Sequence, residues 1–224
     1  MRHLLLFLIF FCAHQVEAQS NVTCDQLGYC FNNFARTLNL TTQTPWRSPR
    51  EFRFEIESIY ERGSQNGFLQ LCQAFRALRD CLGNEYRVCM SVPTFATGGS
   101  NTVQDAYDFI GIFSQAHFTC GAGFDVFYRN EPCMSQSWSA GRRNFSRCYE
   151  EYHMRIDAGG NNAPCVAGQQ LSECFEYVLT QQCSAVRTDV VWWGCEYART
   201  FMFTQFPYCS QRCTTMKLGG IKST

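Results

Sequence analysis

Lysine is nearly absent from this chain: Lys217 and Lys222 are its only two, both close to the C-terminus. Acidic and basic residues number 19 each, and only 17% of residues are charged. No basic stripe is therefore available to follow a phosphate backbone or an anionic bilayer, and no nucleic-acid partner is expected. Histidine is equally scarce, since beyond His3 and His14 the chain has only His117 and His153. Each reads as a structural side chain, His117 on the inner stripe of a helix and His153 in the charged stretch Glu150-Glu151-Tyr152-His153. The chain contains no H-E-x-x-H, no G-x-S-x-G and no phosphate loop. It also lacks the Ca²⁺-binding and Cys-Cys-His signatures of secreted phospholipases. With C-x-x-C missing, a thiol oxidoreductase is not expected. The tightest cysteine pair, Cys209 and Cys213, is a poor start for a zinc site, so neither metal nor cofactor is anticipated. Long apolar runs stop near Ala13, short of the ~20 residues a membrane span needs.

What the chain does have points outward. Arg2 and His3 precede the apolar run Leu4–Phe11, and Val16 and Ala18 supply small residues before Gln19. This describes a signal peptide over residues 1–18. The polar tail 214–224 carries no lipid-anchor signal, so no membrane anchor is expected. Of 15 cysteines, Cys12 lies in the signal peptide. The others are Cys24, Cys30, Cys72, Cys81, Cys89, Cys120, Cys133, Cys148, Cys165, Cys174, Cys183, Cys195, Cys209 and Cys213. Their number is even and their density suits an oxidising compartment, so all are assigned to disulfides. Sequons at Asn21, Asn39 and Asn144 agree with a secreted glycoprotein.

Helical periodicity dominates the rest. Ser48-Pro49-Arg50-Glu51 reads as a capping box with proline at the first helical position, and Phe52, Ile56, Ile59 and Tyr60 follow on one face up to Gly63. A helix is predicted over 68–82 with Leu71, Cys72, Phe75, Leu78 and Leu82 inward. Another begins at Thr102, with Val103, Ala106, Tyr107, Ile110 and Phe113 as its buried stripe and Cys120-Gly121 as its end. Further helices are expected over 145–156, 165–182 and 188–206, the last stopped by Pro207. The expected fold is mainly α, a disulfide-stapled helical domain over 19–213.

Cys72 and Cys81 are nine residues apart, as are Cys165 and Cys174, and Cys174 and Cys183. Nine helical residues rise about 13.5 Å and turn about 900°, which sets the thiols on opposite faces. A bridge needs Cα atoms about 4.4–6.8 Å apart. Two such cysteines therefore cannot pair with each other, and each helix that carries them becomes a middle layer stapled on both sides. Cys72-x-Ala74-x3-Leu78-x-Asp80-Cys81-Leu82 also aligns with Cys165-x-Ala167-x3-Leu171-x-Glu173-Cys174-Phe175. The match suggests two related halves, 19–133 and 145–213, with the polar stretch 134–144 as linker. In that alignment the span from Cys120 to Cys133 corresponds to that from Cys195 to Cys209. Helical stapling that happens to favour one spacing twice is the competing explanation.

The repeated C-x8-C-x7/8-C run, at Cys72, Cys81 and Cys89 and again at Cys165, Cys174 and Cys183, resembles that of the nematode secreted cysteine-rich helical proteins. These include the chondroitin proteoglycan 4 domain and related domains of unknown function. The resemblance implies a disulfide-linked helical domain with an extracellular, non-enzymatic role. One departure is plain: the chain has no Ser-Gly dipeptide to carry a chondroitin chain, so a matrix role would come from binding.

Activity is therefore sought in surfaces. Trp192 and Trp193, with Phe201, Met202, Phe203 and Phe206, make the last helix apolar on almost all sides, which reads as a buried helix or as the lining of an apolar cavity. Trp138, in the expected linker, is placed at the surface, where it could stack on sugar or a partner protein. Arg142-Arg143 offers a dibasic processing site, which a glycan on Asn144 would obstruct. Glu150 and Glu151 are adjacent on a predicted helix, so they diverge rather than form a catalytic pair. The reading is a secreted, glycosylated, non-catalytic protein, not an enzyme, that binds extracellular protein or carbohydrate. The alternative is an extracellular carrier of lipid or a small apolar ligand, and an unrecognised hydrolase stands behind both. Trp138, Trp192 and Trp193 are the candidate ligand contacts.

Overall fold

The computed structural model describes residues 23–63, 67–160, 162–183 and 188–213. The signal peptide, the Asn21 sequon and the tail 214–224 lie outside the described residues. All regular structure among the described residues is helical. Helix α1 (Leu27–Leu38) buries Cys30, Phe31, Phe34 and Leu38 at helical spacing and ends at Asn39, whose φ of 54° makes a left-handed cap. Helix α2 (Pro49–Tyr60) starts on Pro49 as expected, but the Ser48 side chain makes no cap hydrogen bond, so the capping box reduces to its proline. Helix α3 (Leu69–Leu82) turns Leu71, Phe75, Leu78 and Leu82 inward. A turn of 3₁₀ helix leads into the short α4 (Tyr86–Cys89), followed by α5 (Val92–Gly98). Helix α6 (Val103–Thr119) carries a true capping box, with Thr102 and Asp105 exchanging backbone-to-side-chain bonds of 3.0 Å. Next come α7 (Phe124–Arg129), α8 (Glu131–Ala158), α9 (Ala163–Cys183) and α10 (Thr188–Gln205).

The first half places α3 between α1 and α6, and the second places α9 between α8 and α10. The halves meet where α6 lies against α10 and α2 runs along α8. Arg50 at the start of α2 bonds Glu150 at 2.7 Å, and Glu61 just past its end accepts from Arg142 at 3.0 Å. The two helices are therefore antiparallel.

Every cysteine from Cys24 to Cys213 is paired, in seven bridges. The stapling geometry is the expected one on α3, where Cys81 reaches Cys30 of α1 while Cys72 reaches Cys120 at the end of α6. On α9 the expectation holds for Cys165, which reaches Cys209 beyond α10, and Cys174, which reaches Cys148 of α8, but not for Cys183, which ends the helix and reaches Cys133 of the same α8. The order of pairing repeats as well. Taken in chain order, Cys24, Cys30, Cys72, Cys81, Cys89 and Cys120 pair first with fifth, second with fourth and third with sixth. Cys133, Cys148, Cys165, Cys174, Cys183 and Cys209 pair in the same order, and Cys195–Cys213 is an addition. None of the seven bridges joins the two sets.

The pairing corrects the boundary between the halves. Cys133 opens the second set, and Cys120 corresponds to Cys209 rather than to Cys195. The stretch 134–144 is not a linker but the first half of the continuous helix α8. It reads as polar because it packs through small groups. A Cβ on Gly141 would meet Val178 of α9 at 2.6 Å, and Ser137 turns its hydroxyl back onto the Cys133 carbonyl at 2.8 Å. The Arg142-Arg143 dipeptide lies inside this helix, with Arg142 bound to Glu61.

Candidate functional site

The tryptophans divide between core and surface in a way the sequence pattern does not anticipate. Trp138 is 1% exposed, stacked 5.1 Å from Tyr60 and 4.3 Å from Phe145. Its expected place at the surface is overturned, since its wide apolar ring is what closes the seam between α2 and α8. Trp193 is also fully buried, lying over Tyr197 at 4.9 Å and donating its indole N–H to the Gly123 carbonyl at 3.0 Å. Neither can touch a ligand. Trp192, one residue earlier, is only half-buried and faces a groove.

That groove is built by α6 and its two neighbours. The expected buried stripe of α6 is rotated: Val103 is 58% exposed and His117 is exposed, while Ala106, Phe109, Ile112, Phe113 and Ala116 are buried. Helix α6 packs on α10 on one side and on α2, α3 and α5 on the other, so its buried arc centres on Phe109 and Ile112. Ile110 and His117, seven residues apart on the remaining edge, form the groove floor with Phe113 and Phe118. The end of α3 and α4 make one wall with Arg79, Tyr86 and Arg87, and α10 makes the other with Trp192, Arg199 and Phe203. The groove measures about 870 Å³. An adjoining depression of about 700 Å³ shares Arg79, Tyr86 and His117 and adds Arg76 and Phe124.

The charge here is one-sided although the chain as a whole is balanced. Arg76, Arg79, Arg87 and Arg199 line the two depressions, against the single carboxylate of Glu196. Arg199 bonds Glu196 at 2.8 Å and lies over the Phe203 ring at 4.7 Å. Among the described residues no carboxylate pairs with Arg76, Arg79 or Arg87.

Two other polar clusters carry less. His153 lies 3.3 Å from Asp108, which also accepts from Gln104 at 2.8 Å. Burial pushes the Asp108 carboxyl up, against the pull of His153. Around them Glu150 is engaged by Arg50, Asp105 by the Thr102 N–H and Asp108 by His153. Glu151 turns away from Glu150 to Arg147. In the seam between the halves, Arg53 and Glu57 are both buried at 3.6 Å, with the Arg53 guanidinium 3.7 Å over the Tyr149 ring. Nearby, Gln115 donates to the Tyr149 hydroxyl at 2.7 Å. Among the described residues no group of His, Cys, Asp or Glu is placed to hold a metal ion, and no helix is long and apolar enough to cross a membrane.

Of the sequons, Asn39 is exposed at the end of α1, and Thr41 binds Glu55 through both its N–H, at 2.7 Å, and its hydroxyl. Asn144 is half-buried in the middle of α8. The groove cations went unmarked in the sequence because Arg79, Arg87 and Arg199 are far apart in the chain and meet only through packing.

No protein-family model, curated protein or solved structure matches this chain. The resemblance to the nematode cysteine-rich proteins thus rests on cysteine spacing and the alternation of helices with cysteines.

Proposed function

We propose that this is a secreted, glycosylated, non-catalytic protein that works by binding, as an extracellular carrier whose ligand sits in the groove between the two halves. The observation that carries this reading is the groove itself. Its walls come from both halves, each half is cross-linked internally, and half-buried Trp192, Phe203, Tyr86 and Ile110 leave apolar surface open to a ligand. Seven disulfides and helices too short or too polar to cross a membrane, among the described residues, fit an extracellular protein. The competing reading, recognition of extracellular protein or carbohydrate, loses the stacking platform that an exposed Trp138 would have supplied.

Native mass spectrometry of protein secreted by eukaryotic cells, followed by solvent extraction, tests the carrier reading. The expected result is a bound mass that extraction removes, or uptake of an added apolar probe by the extracted protein. A clean apo mass that takes up no apolar probe, alongside specific capture of a protein or glycan, would replace the carrier with the competing reading.

A further inference from the structure

We infer that the groove selects a single-chain amphipathic anion, of which a long-chain fatty acid carboxylate is the simplest form. The inference rests on the carrier reading and adds the chemistry of the ligand. The apolar part is read by the floor: Ile110 and Phe113 of α6, with Trp192 and Phe203 of α10 beside them. A sulfated glycan has no long apolar segment to cover these side chains, and a neutral lipid offers nothing to the cations above them. The anionic part is read by Arg79 and Arg87, which stand on the opposite wall without a carboxylate partner among the described residues. Guanidinium forks bind a carboxylate through two parallel hydrogen bonds, which a lysine ammonium cannot do. Arg199 is held by Glu196 and laid over Phe203, so it closes the far edge of the apolar floor rather than competing for the head group. The Cys72–Cys120 bridge ties α3 to the end of α6 beside the Arg79 wall, which fixes the spacing between cations and floor.

Three probes separate the contributions by calorimetric titration into the extracted protein: oleate has tail and charge, oleyl alcohol has the tail alone, and a heparin-derived octasaccharide has charge alone. Oleate is expected to bind at least about tenfold more tightly than oleyl alcohol, and the octasaccharide is expected neither to bind nor to displace oleate. The exposed double substitution R79Q/R87Q should weaken oleate about tenfold and leave oleyl alcohol unchanged. Dibrominated stearate should quench tryptophan fluorescence in the native protein, with most of that quenching lost in W192F. Equal binding of oleate and oleyl alcohol, or an unchanged R79Q/R87Q, would overturn the inference while leaving the carrier reading standing. Octasaccharide binding that displaces oleate would also overturn it, as a site that reads charge alone. Failure of every probe would overturn both.

Discussion

Glu57 is the acid whose ionisation the fold moves into the neutral range. Burial pushes its carboxyl up to about 7; Arg53 opposes this, Glu61 adds to it, and Arg142 opposes it from further off. Tyr60, Tyr149 and Tyr197 surround the site, and burial pushes their hydroxyls well up too, so they do not titrate near neutrality. An acid whose folded value lies above its unfolded value of about 4.5 keeps its proton in the native state after the unfolded chain has lost it. Stability therefore falls as pH rises from about 4.5 to about 7 and levels off above that, by an amount on the order of a few kcal/mol. Thermal unfolding of the native protein and E57Q between pH 5 and pH 8 checks this. The difference between the two proteins should drift with pH and then flatten near neutrality, whereas parallel profiles would remove Glu57 as the cause. Nothing at the level of sequence marks Glu57 out, because an Arg and a Glu four residues apart usually form an exposed helical pair. Here α8 and α6 cover them, and only the packed structure reveals it.

Among the elements, α2 and α3 were readable from an apolar row at helical spacing, and α10 from its apolar character and the Pro207 that follows it. Helix α1 carries an apolar row in Cys30, Phe31, Phe34 and Leu38, yet it is missing from the expected helices because nothing marks its start: Gln26 makes no side-chain cap bond and its first turn has no acidic residue. The first half of α8 was unreadable for a different reason. Beside Met134 and Trp138 it packs through Ser135, Ser137 and Gly141, whose value lies in letting two backbones approach, a property that hydropathy does not register. The α6 stripe failed because a helix with neighbours on both sides buries a wider arc than one apolar row defines, and the leftover edge became the groove floor. The same elements set the fate of the sequons. Asn39 sits at an exposed helix end, whereas Asn144 is followed by the fully buried Phe145 within a continuous helix. Enzymatic deglycosylation with intact-mass analysis should show Asn39 modified in most molecules and Asn144 in a minority. Full occupancy of Asn144 would mean that glycan transfer precedes the folding of α8.

At the scale of the whole molecule, two sets of cysteines share one order of pairing, which is what a duplicated three-helix unit would produce. Digestion without reduction should yield Cys24–Cys89, Cys30–Cys81 and Cys72–Cys120 peptides, with no link between that set and Cys133–Cys213. A single crossing peptide would break the correspondence. Cys195–Cys213 has no counterpart in the first half and closes the shortest loop, 18 residues against 65 for Cys24–Cys89. Loop entropy makes its removal cost about 3 kcal/mol, roughly 1 kcal/mol less than loss of the longest. C195A/C213A should therefore unfold at a higher denaturant midpoint than C24A/C89A, and the reverse order would show that strain or residual structure governs instead. With every staple closed inside its own half, non-covalent packing, chiefly of α6 on α10 and of α2 on α8 with α7 wedged between them, holds the halves together. The identical surfaces are present on a second copy of the chain. Two chains are thus free to exchange halves, each composite keeping all its bridges and a complete groove. Such a domain-swapped dimer would form on concentration from partly opened monomers, bind one ligand per chain, and return to monomer on dilution without any thiol chemistry.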